Sequence, residues 1–493
     1  MSAAVMPGPA SPVLRRDPAE PSRRAPQRLL VGAAVVGLAV GLLAGLVPHV
    51  RLADVAAPTA GPLAAGPSAA AAGPAGTPPS SLPAGALPSP SGPPLAPPDG
   101  ATSKKLAAAL ASARWRYGIP GISVAIAYPD GSVWAGRAGV SDVKKKTALR
   151  TDTAFSFGSA TKTFTAALVL RLAEEGALSL DDSILRWLPE YADRTFLGST
   201  PARRQIITVR MLLAQTSGLY DYFNSLSFDA RLRASKTRVW APTDVLAFVK
   251  KPLFIAGDGW SYANTNYLLL GLIAERAGGA PFATQLRMRL LDPLGLTSLY
   301  VQVAEKPRGP ISRGYDFTSL SRTATPIPWT DGTKVMPFTS VTSAAGAAGA
   351  LAGSARDLAR WGLALYGGTV LQPASLAAML AFDGTAAPGA ASDYGLGVGR
   401  RLIGDRLTVG HSGRLAGFRC TMRYVPELGV SVAVVTNQDR WDPDRVVEAL
   451  LDVIDPPPAP EPSPTPTPTP PTPSPAPGAS SSPVIEPSPS IAP

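Results

Sequence analysis

The chain has 493 residues, a formal net charge of +11, 54 prolines and a single cysteine. Thirteen of the prolines lie in Ala56–Gly100 and 17 in Pro456–Pro493, which leaves about 355 residues, 101–455, for one domain of two packed lobes. Cys420 alone excludes an internal disulfide, His49 and His411 with that cysteine cannot build a His/Cys zinc site, and without a zinc finger, RNP-like strand or basic helix the charge does not point to nucleic acid.

In chain order, residues 1–28 are a basic head carrying Arg15, Arg16, Arg23, Arg24 and Arg28, and Leu29–Val47 follows with nineteen residues and no charge. At about 1.5 Å per residue this segment spans roughly 28 Å as a helix. It is expected to cross the cell membrane once, with the N-terminus cytoplasmic and the rest of the chain outside. A signal peptide cleaved near Val55-Ala56-Ala57 is the alternative. Residues 48–100 read as a Pro/Ala/Gly-rich linker and 456–493 as a disordered Pro/Ser/Thr-rich tail, because neither can bury enough apolar surface to offset the entropy of ordering. The charge remaining on 101–455 is still +11, which suits anionic cell-envelope polymers as neighbours.

Within 101–455 a helix is expected over Lys104–Tyr117. Two strands follow, Gly121–Tyr128 and Ser132–Val140, turned by Pro129-Asp130-Gly131. Helical patterning covers Thr161–Gly176, Val209–Gln215, Thr243–Lys250, Ala263–Ala277, Phe282–Leu291, Ser354–Tyr366 and Pro373–Ala381. Arg406–Gly410, Gly417–Val425 and Val430–Thr436 form a meander, and Arg440–Ile454 closes the domain as a helix. Strands at both ends with helices between them predict an α+β fold, an antiparallel sheet flanked by helices plus an inserted helical lobe.

Three short runs carry chemistry. Phe155-Ser-Phe-Gly-Ser159-Ala-Thr-Lys162 passes from a strand end into an apolar helix. Ser159 would sit at that helix N-terminus, where amide N–H groups favour a developing alkoxide. Lys162 shares its face, and burial with nearby cations can make its amine a general base. A second Ser-x-x-Lys, Ser141 to Lys144, lies in a polar lysine run with no apolar helix behind it. Next, Tyr262-Ala-Asn264 stands on a loop before an apolar helix. A phenol beside two cations can relay protons, and an amide can hold a carbonyl. Tyr222-Phe-Asn224 has the same spacing without that helix. Finally, His411-Ser-Gly413-Arg414 opens a strand, where glycine lets a substrate backbone approach the edge. Taken singly, each run has an ordinary structural reading: Ser159 as an N-cap, Lys162 as a solvated charge, Tyr262 and His411 as satisfied polar side chains.

In that order, Ser-x-x-Lys, Tyr-x-Asn and His-x-Gly resemble the penicillin-recognising serine hydrolases, the group of class C β-lactamases, D-alanyl-D-alanine carboxypeptidases and esterases. The likeness covers nearly all of Lys104–Asp455 and includes Leu170–Pro189 and Thr208–Leu219. Two positions depart from it. Gln215 stands where the family commonly has histidine, and His-Ser-Gly replaces the Lys-Thr-Gly of typical class C β-lactamases. An imidazole is only partly charged near neutrality, which shifts the expectation toward peptidase and esterase members.

The resemblance implies a β-lactamase/DD-peptidase-like fold, with no metal and no cofactor. It implies catalysis by Ser159, Lys162 and Tyr262, substrate binding by Asn264, His411 and Gly413, and an oxyanion hole from the backbone N–H groups of Ser159 and Arg414. Trp260, Tyr220 and Tyr222 are candidates to line the cleft, and Arg400, Arg401, Arg414 and Arg419 to hold a substrate carboxylate. The activity expected is that of a membrane-anchored, extracytoplasmic D-alanyl-D-alanine carboxypeptidase acting on peptidoglycan stem peptides, with β-lactams as acylating ligands. An esterase or β-lactamase on the same fold is the alternative, and a catalytically inactive domain that binds β-lactams or cell-wall peptides is another.

Overall fold

In the computed structural model, which describes residues 92–382 and 392–456, eight strands form one antiparallel sheet. Across the sheet they run Thr147–Ala148, Val133–Asp142, Gly121–Ala127, Val430–Thr436, Phe418–Val425, Arg406–Leu415, Gly399–Ile403 and Ser392–Tyr394. The first hairpin is thereby joined to the last strand, with Val124 opposite Val434. Strand alternation divides the apolar residues between two cores. Ile122, Val124 and Ile126 join Val430, Val432 and Val434 under the helices Gly100–Arg116 and Asp444–Ile454, which contribute Leu106, Leu110, Val447 and Leu450. Ala125, Ala127, Ala433 and Val435 face the larger core, with Phe164 and Leu168 of the helix Thr161–Glu174, Leu269 of Asn264–Gly278 and Trp361 of Ala355–Tyr366.

The expected hairpin, the meander and the long helices are present, with three informative differences. Arg406–Leu415 does not stop at Gly410; it stays paired with Phe418–Val425 as far as Leu415 opposite Phe418. The closing helix begins at Asp444 instead of Arg440, after Pro443. Phe282–Leu286 is α-helical, but Arg287–Leu291 widens into a π turn.

The expected membrane anchor is corrected. Among the described residues no helix is long and apolar enough to cross a membrane. The longest, Gly100–Arg116, has 17 residues and carries Lys104, Lys105, Arg114 and Arg116. Leu29–Val47, on which the anchor was placed, lies outside the described residues, as do most of the linker and the tail. A single-pass topology, membrane attachment and an extracytoplasmic address therefore have no support in the fold.

Candidate active site

Phe155–Ser156 pairs with Leu351–Gly353 and leads into a tight turn, Gly158–Ala160, that continues as the helix Thr161–Glu174. Gly158 has φ +50°, and a Cβ there would lie 2.6 Å from the Arg414 carbonyl oxygen. Gly413 closes the same contact from the strand side: a Cβ would lie 1.8 Å from the Phe157 carbonyl oxygen and 3.0 Å from the Ala160 nitrogen. The sequence reading assigned this glycine to the substrate. In the structure its missing side chain makes room for the turn that carries Ser159. On its other side, Arg406–Leu415 is paired with Gly399–Ile403 only as far as Gly410, and beyond that point Gly413 and Arg414 lie against the turn that carries Ser159.

Lys162 is fully buried one turn after Ser159. Its Nζ lies 3.3 Å from Ser159 Oγ and donates to Asn264 Oδ1 at 2.7 Å and to the Ala348 carbonyl at 2.9 Å. The Thr165 hydroxyl donates to the Ala347 carbonyl at 2.6 Å and so pins the turn that presents Ala348. Burial pushes the amine down from 10.5 to about 7, against an opposing pull from Asp221. A neutral amine has two N–H donors and one lone pair. The Asn264 and Ala348 oxygens can only accept, so they take both N–H groups, and the lone pair is left for the Ser159 hydroxyl proton.

Tyr262 lays its ring over this amine, with 4.9 Å from Nζ to the centroid, and Tyr267 is a second ring at 5.4 Å. The Tyr262 hydroxyl is buried without a hydrogen-bond partner among the described residues. Burial, with Tyr394 next in effect, holds this phenol well above its ordinary pKa, and the Ser159 side chain is the neighbour that pulls it down. Tyr262 is therefore a protonated donor. The loop that carries it is gripped by Gln215, a buried residue at φ +66°. The Gln215 carbonyl accepts from Ser261 N–H at 3.0 Å, and its Oε1 accepts from Ala263 N–H at 3.0 Å and from the Asn266 side-chain amide. A left-handed non-glycine residue costs on the order of 1–2 kcal/mol, which these bonds on both sides of Tyr262 offset.

His411, expected to bind the substrate, shares its side-chain hydrogen bond with Tyr394. The Ser412 carbonyl can only accept, so the bond at Nδ1 fixes the proton there, and Nε2 accepts from the Tyr394 hydroxyl at 3.1 Å. Burial first, and then repulsion from Lys162, drive the imidazole down from 6.5 to about 3. The two cations expected around Tyr262 thus reduce to Lys162. Since His411 is the one histidine in 101–455, its ring proton resonances should show between pH 5 and 8 only the small shifts passed on by charge changes nearby, and not the full displacement of an imidazole gaining a proton. A full imidazolium shift with a midpoint near 6.5 in a proton NMR titration would contradict this environment.

Asp221 is a site residue that the sequence reading passed over. It is buried, its Oδ2 accepts from Asn264 Nδ2 at 2.9 Å, and its Oδ1 accepts from Phe223 N–H at 3.1 Å. Burial raises its carboxyl from 3.8 to about 6. Tyr394, also passed over, joins His411, Trp260 and Tyr262 in one aromatic group, with ring centroids 5.8 to 6.2 Å apart. Neither position carries a local sequence signal. Tyr222 is core, its hydroxyl donating to the Ala344 carbonyl at 2.8 Å, and the Tyr220 ring has the Lys250 amine over it at 5.2 Å. All four candidate arginines are engaged by aspartates: Arg400 by Asp393, Arg401 by Asp444, Arg414 by Asp439 at 3.3 Å and Arg419 by Asp442 at 3.6 Å.

A protein-family model described as Beta-lactamase matches residues 106–454, more than half of the chain. Penicillin-binding protein 4* of Bacillus subtilis (strain 168) is 31% identical over 167 residues, 33% of this chain and 34% of that protein. Esterase EstB of Burkholderia gladioli is 34% identical over 194 residues, 38% of this chain and 48% of that protein. The matched stretches therefore span less than half the length of these two relatives. Among solved structures, a D-stereospecific amidohydrolase from Streptomyces sp. superposes with a TM-score of 0.59 at 30% identity, covering 71% of this chain and 98% of that one.

Proposed function

The chain belongs to the beta-lactamase family, and on that footing we propose that it is a serine hydrolase that cleaves small esters or amides through an acyl-enzyme on Ser159. The observation that carries this reading is the buried Lys162 amine, with both N–H groups engaged and its lone pair left for Ser159. In the first step the Ser159 proton passes to Lys162 Nζ while Oγ bonds to the substrate carbonyl carbon, and the carbonyl electron pair moves onto oxygen. Backbone N–H groups of Ser159 and of Arg414, on the strand beside it, would hold that oxyanion, each worth about 3 kcal/mol. The oxyanion pair then re-forms the carbonyl, the bond from carbon to the leaving oxygen or nitrogen breaks, and Tyr262 gives its hydroxyl proton to that leaving atom and is reprotonated from the Lys162 ammonium. Water releases the acyl group by the same path in reverse.

The carboxypeptidase expectation is corrected in favour of its alternative. A carboxypeptidase must hold its substrate's terminal carboxylate, yet the four arginines offered for that task are tied to aspartates and His411 is neutral. Similarity to Esterase EstB and to the D-stereospecific amidohydrolase supports ester or amide substrates. Intact-mass measurement after a fluorophosphonate should show one adduct on the wild type and none on Ser159→Ala. In turnover assays a p-nitrophenyl ester or a D-amino acid amide should outpace nitrocefin and a D-Ala-D-Ala peptide. An adduct that survives Ser159→Ala, or fastest turnover of the peptide, would overturn the reading.

A further inference from the structure

We propose that Asp221 is a positioning residue: by holding the Asn264 amide in one orientation, it turns the lone pair of Lys162 toward Ser159. The inference rests on the acyl-transfer reading above and adds to it a residue that touches neither substrate nor nucleophile.

An asparagine amide presents either its oxygen or its NH2 group to a neighbour, and nothing in its own shape decides between them. Asp221 decides it. Its carboxylate is an acceptor that Asn264 can meet only with Nδ2, at 2.9 Å, so Oδ1 must face Lys162, at 2.7 Å. Were the amide reversed, its N–H groups would face the amine and draw the lone pair away from Ser159. Lys162 would then keep its position and lose its use as a base. The carboxylate is itself held from behind by Phe223 N–H at 3.1 Å, so the row from backbone to carboxylate to amide to amine is fixed at every joint.

The same row places a negative group where the ammonium forms. Besides its neutral acceptors Asn264 and Ala348, the groups that face Lys162 from the packed elements are the Ser159 hydroxyl on its own turn, the Tyr262 and Tyr267 rings, neutral His411 on the strand, and Asp221. Of these, Asp221 is the one that is negatively charged at rest near neutral pH. It favours the protonated amine, so its loss should move the acid limb of acylation to lower pH.

The test is the pH dependence of single-turnover acylation by a p-nitrophenyl ester in the full chain. It compares the wild type, Asp221→Asn, and Asp221→Ser, which keeps a capping oxygen for Phe223. Acylation near pH 7.5 should fall roughly tenfold or more in both variants, with the acid limb displaced downward and the substrate concentration for half-saturation little changed. Asn264→Ala is measured alone and with Asp221→Asn. If Asp221 acts through Asn264, the double variant acylates no more slowly than Asn264→Ala. A slower rate with an unmoved acid limb, or losses that multiply in the double variant, overturns the proposal. Such a result would leave the acyl-transfer reading standing, because that reading is tested separately, by the Ser159 adduct and by the ranking of substrates.

Discussion

Gly413→Ala is expected to slow acylation of Ser159 by at least about a hundredfold, although the substitution adds one methyl group and removes no functional atom. The new Cβ would lie 1.8 Å from the Phe157 carbonyl oxygen, 2.9 Å from Cys420 Sγ and 3.0 Å from the Ala160 nitrogen. Two of these atoms are backbone, so no side chain can swing aside to relieve the contact. Either the strand edge lifts from the turn or the turn shifts, and both separate the Arg414 N–H from the position where the oxyanion forms. A misplacement of about 1 Å costs on the order of a hundredfold in rate. Overpacking of this kind also costs roughly 1–3 kcal/mol of stability, so the melting temperature should fall as well. Ser412→Ala is the matched control: its Oγ lies on the opposite strand face and accepts from Arg423 Nη2 at 2.7 Å. Burst amplitude and rate with a p-nitrophenyl ester, read beside thermal melts, separate the two variants. Near-wild-type acylation by Gly413→Ala would mean that strand and turn are not locked together.

That glycine also marks where the sequence could be read and where it could not. Val430–Thr436 was expected with the bounds it has, because seven residues of which six are apolar or β-branched, set between turn signals, have few other uses. The nucleophile helix was legible for a similar reason: Gly158 breaks the chain and an apolar run follows. Arg406–Leu415 was cut short at Gly410 because glycines inside a strand read as breakers, whereas Gly413 is there for close approach. Of the site, Ser159, Lys162 and Asn264 come within bonding distance and Tyr262 covers them. Asp221 stayed invisible because its meaning comes from Asn264, 43 residues away, and Tyr394 because it acts on His411, 17 residues on. The charge on His411 was likewise out of reach: a histidine in a sequence is half-charged near neutrality, and only burial beside Lys162 settles it as neutral.

Lys162→Met should remove activity by about two to four orders of magnitude, the usual share of a general base, and should also erase a pH dependence of stability. In the folded wild type the amine titrates at about 7, against 10.5 for an ordinary lysine. Between those values the unfolded chain holds a proton that the folded chain has released. The unfolded state therefore binds more protons, and stability rises with pH through that window, by a few kcal/mol in all. Below about 7 both states are protonated and the slope from this group vanishes. Asp221, raised to about 6 in the wild type, titrates below this window; in Lys162→Met it loses the Lys162 charge that lowers it, and a carboxyl raised further makes the variant lose stability as pH rises, which acts in the same direction on the comparison. Methionine roughly fills the space but leaves Asn264 Oδ1 and the Ala348 carbonyl without donors, a cost of about 1–3 kcal/mol for each group. Relief from burying the amine offsets part of that cost near neutral pH. Denaturant unfolding at pH 7 and at pH 9.5 should therefore show the wild type gaining on Lys162→Met at the higher pH. If the two proteins change in parallel, the amine is not held neutral by the fold. If Lys162→Met still acylates at the wild-type rate, another group takes the Ser159 proton.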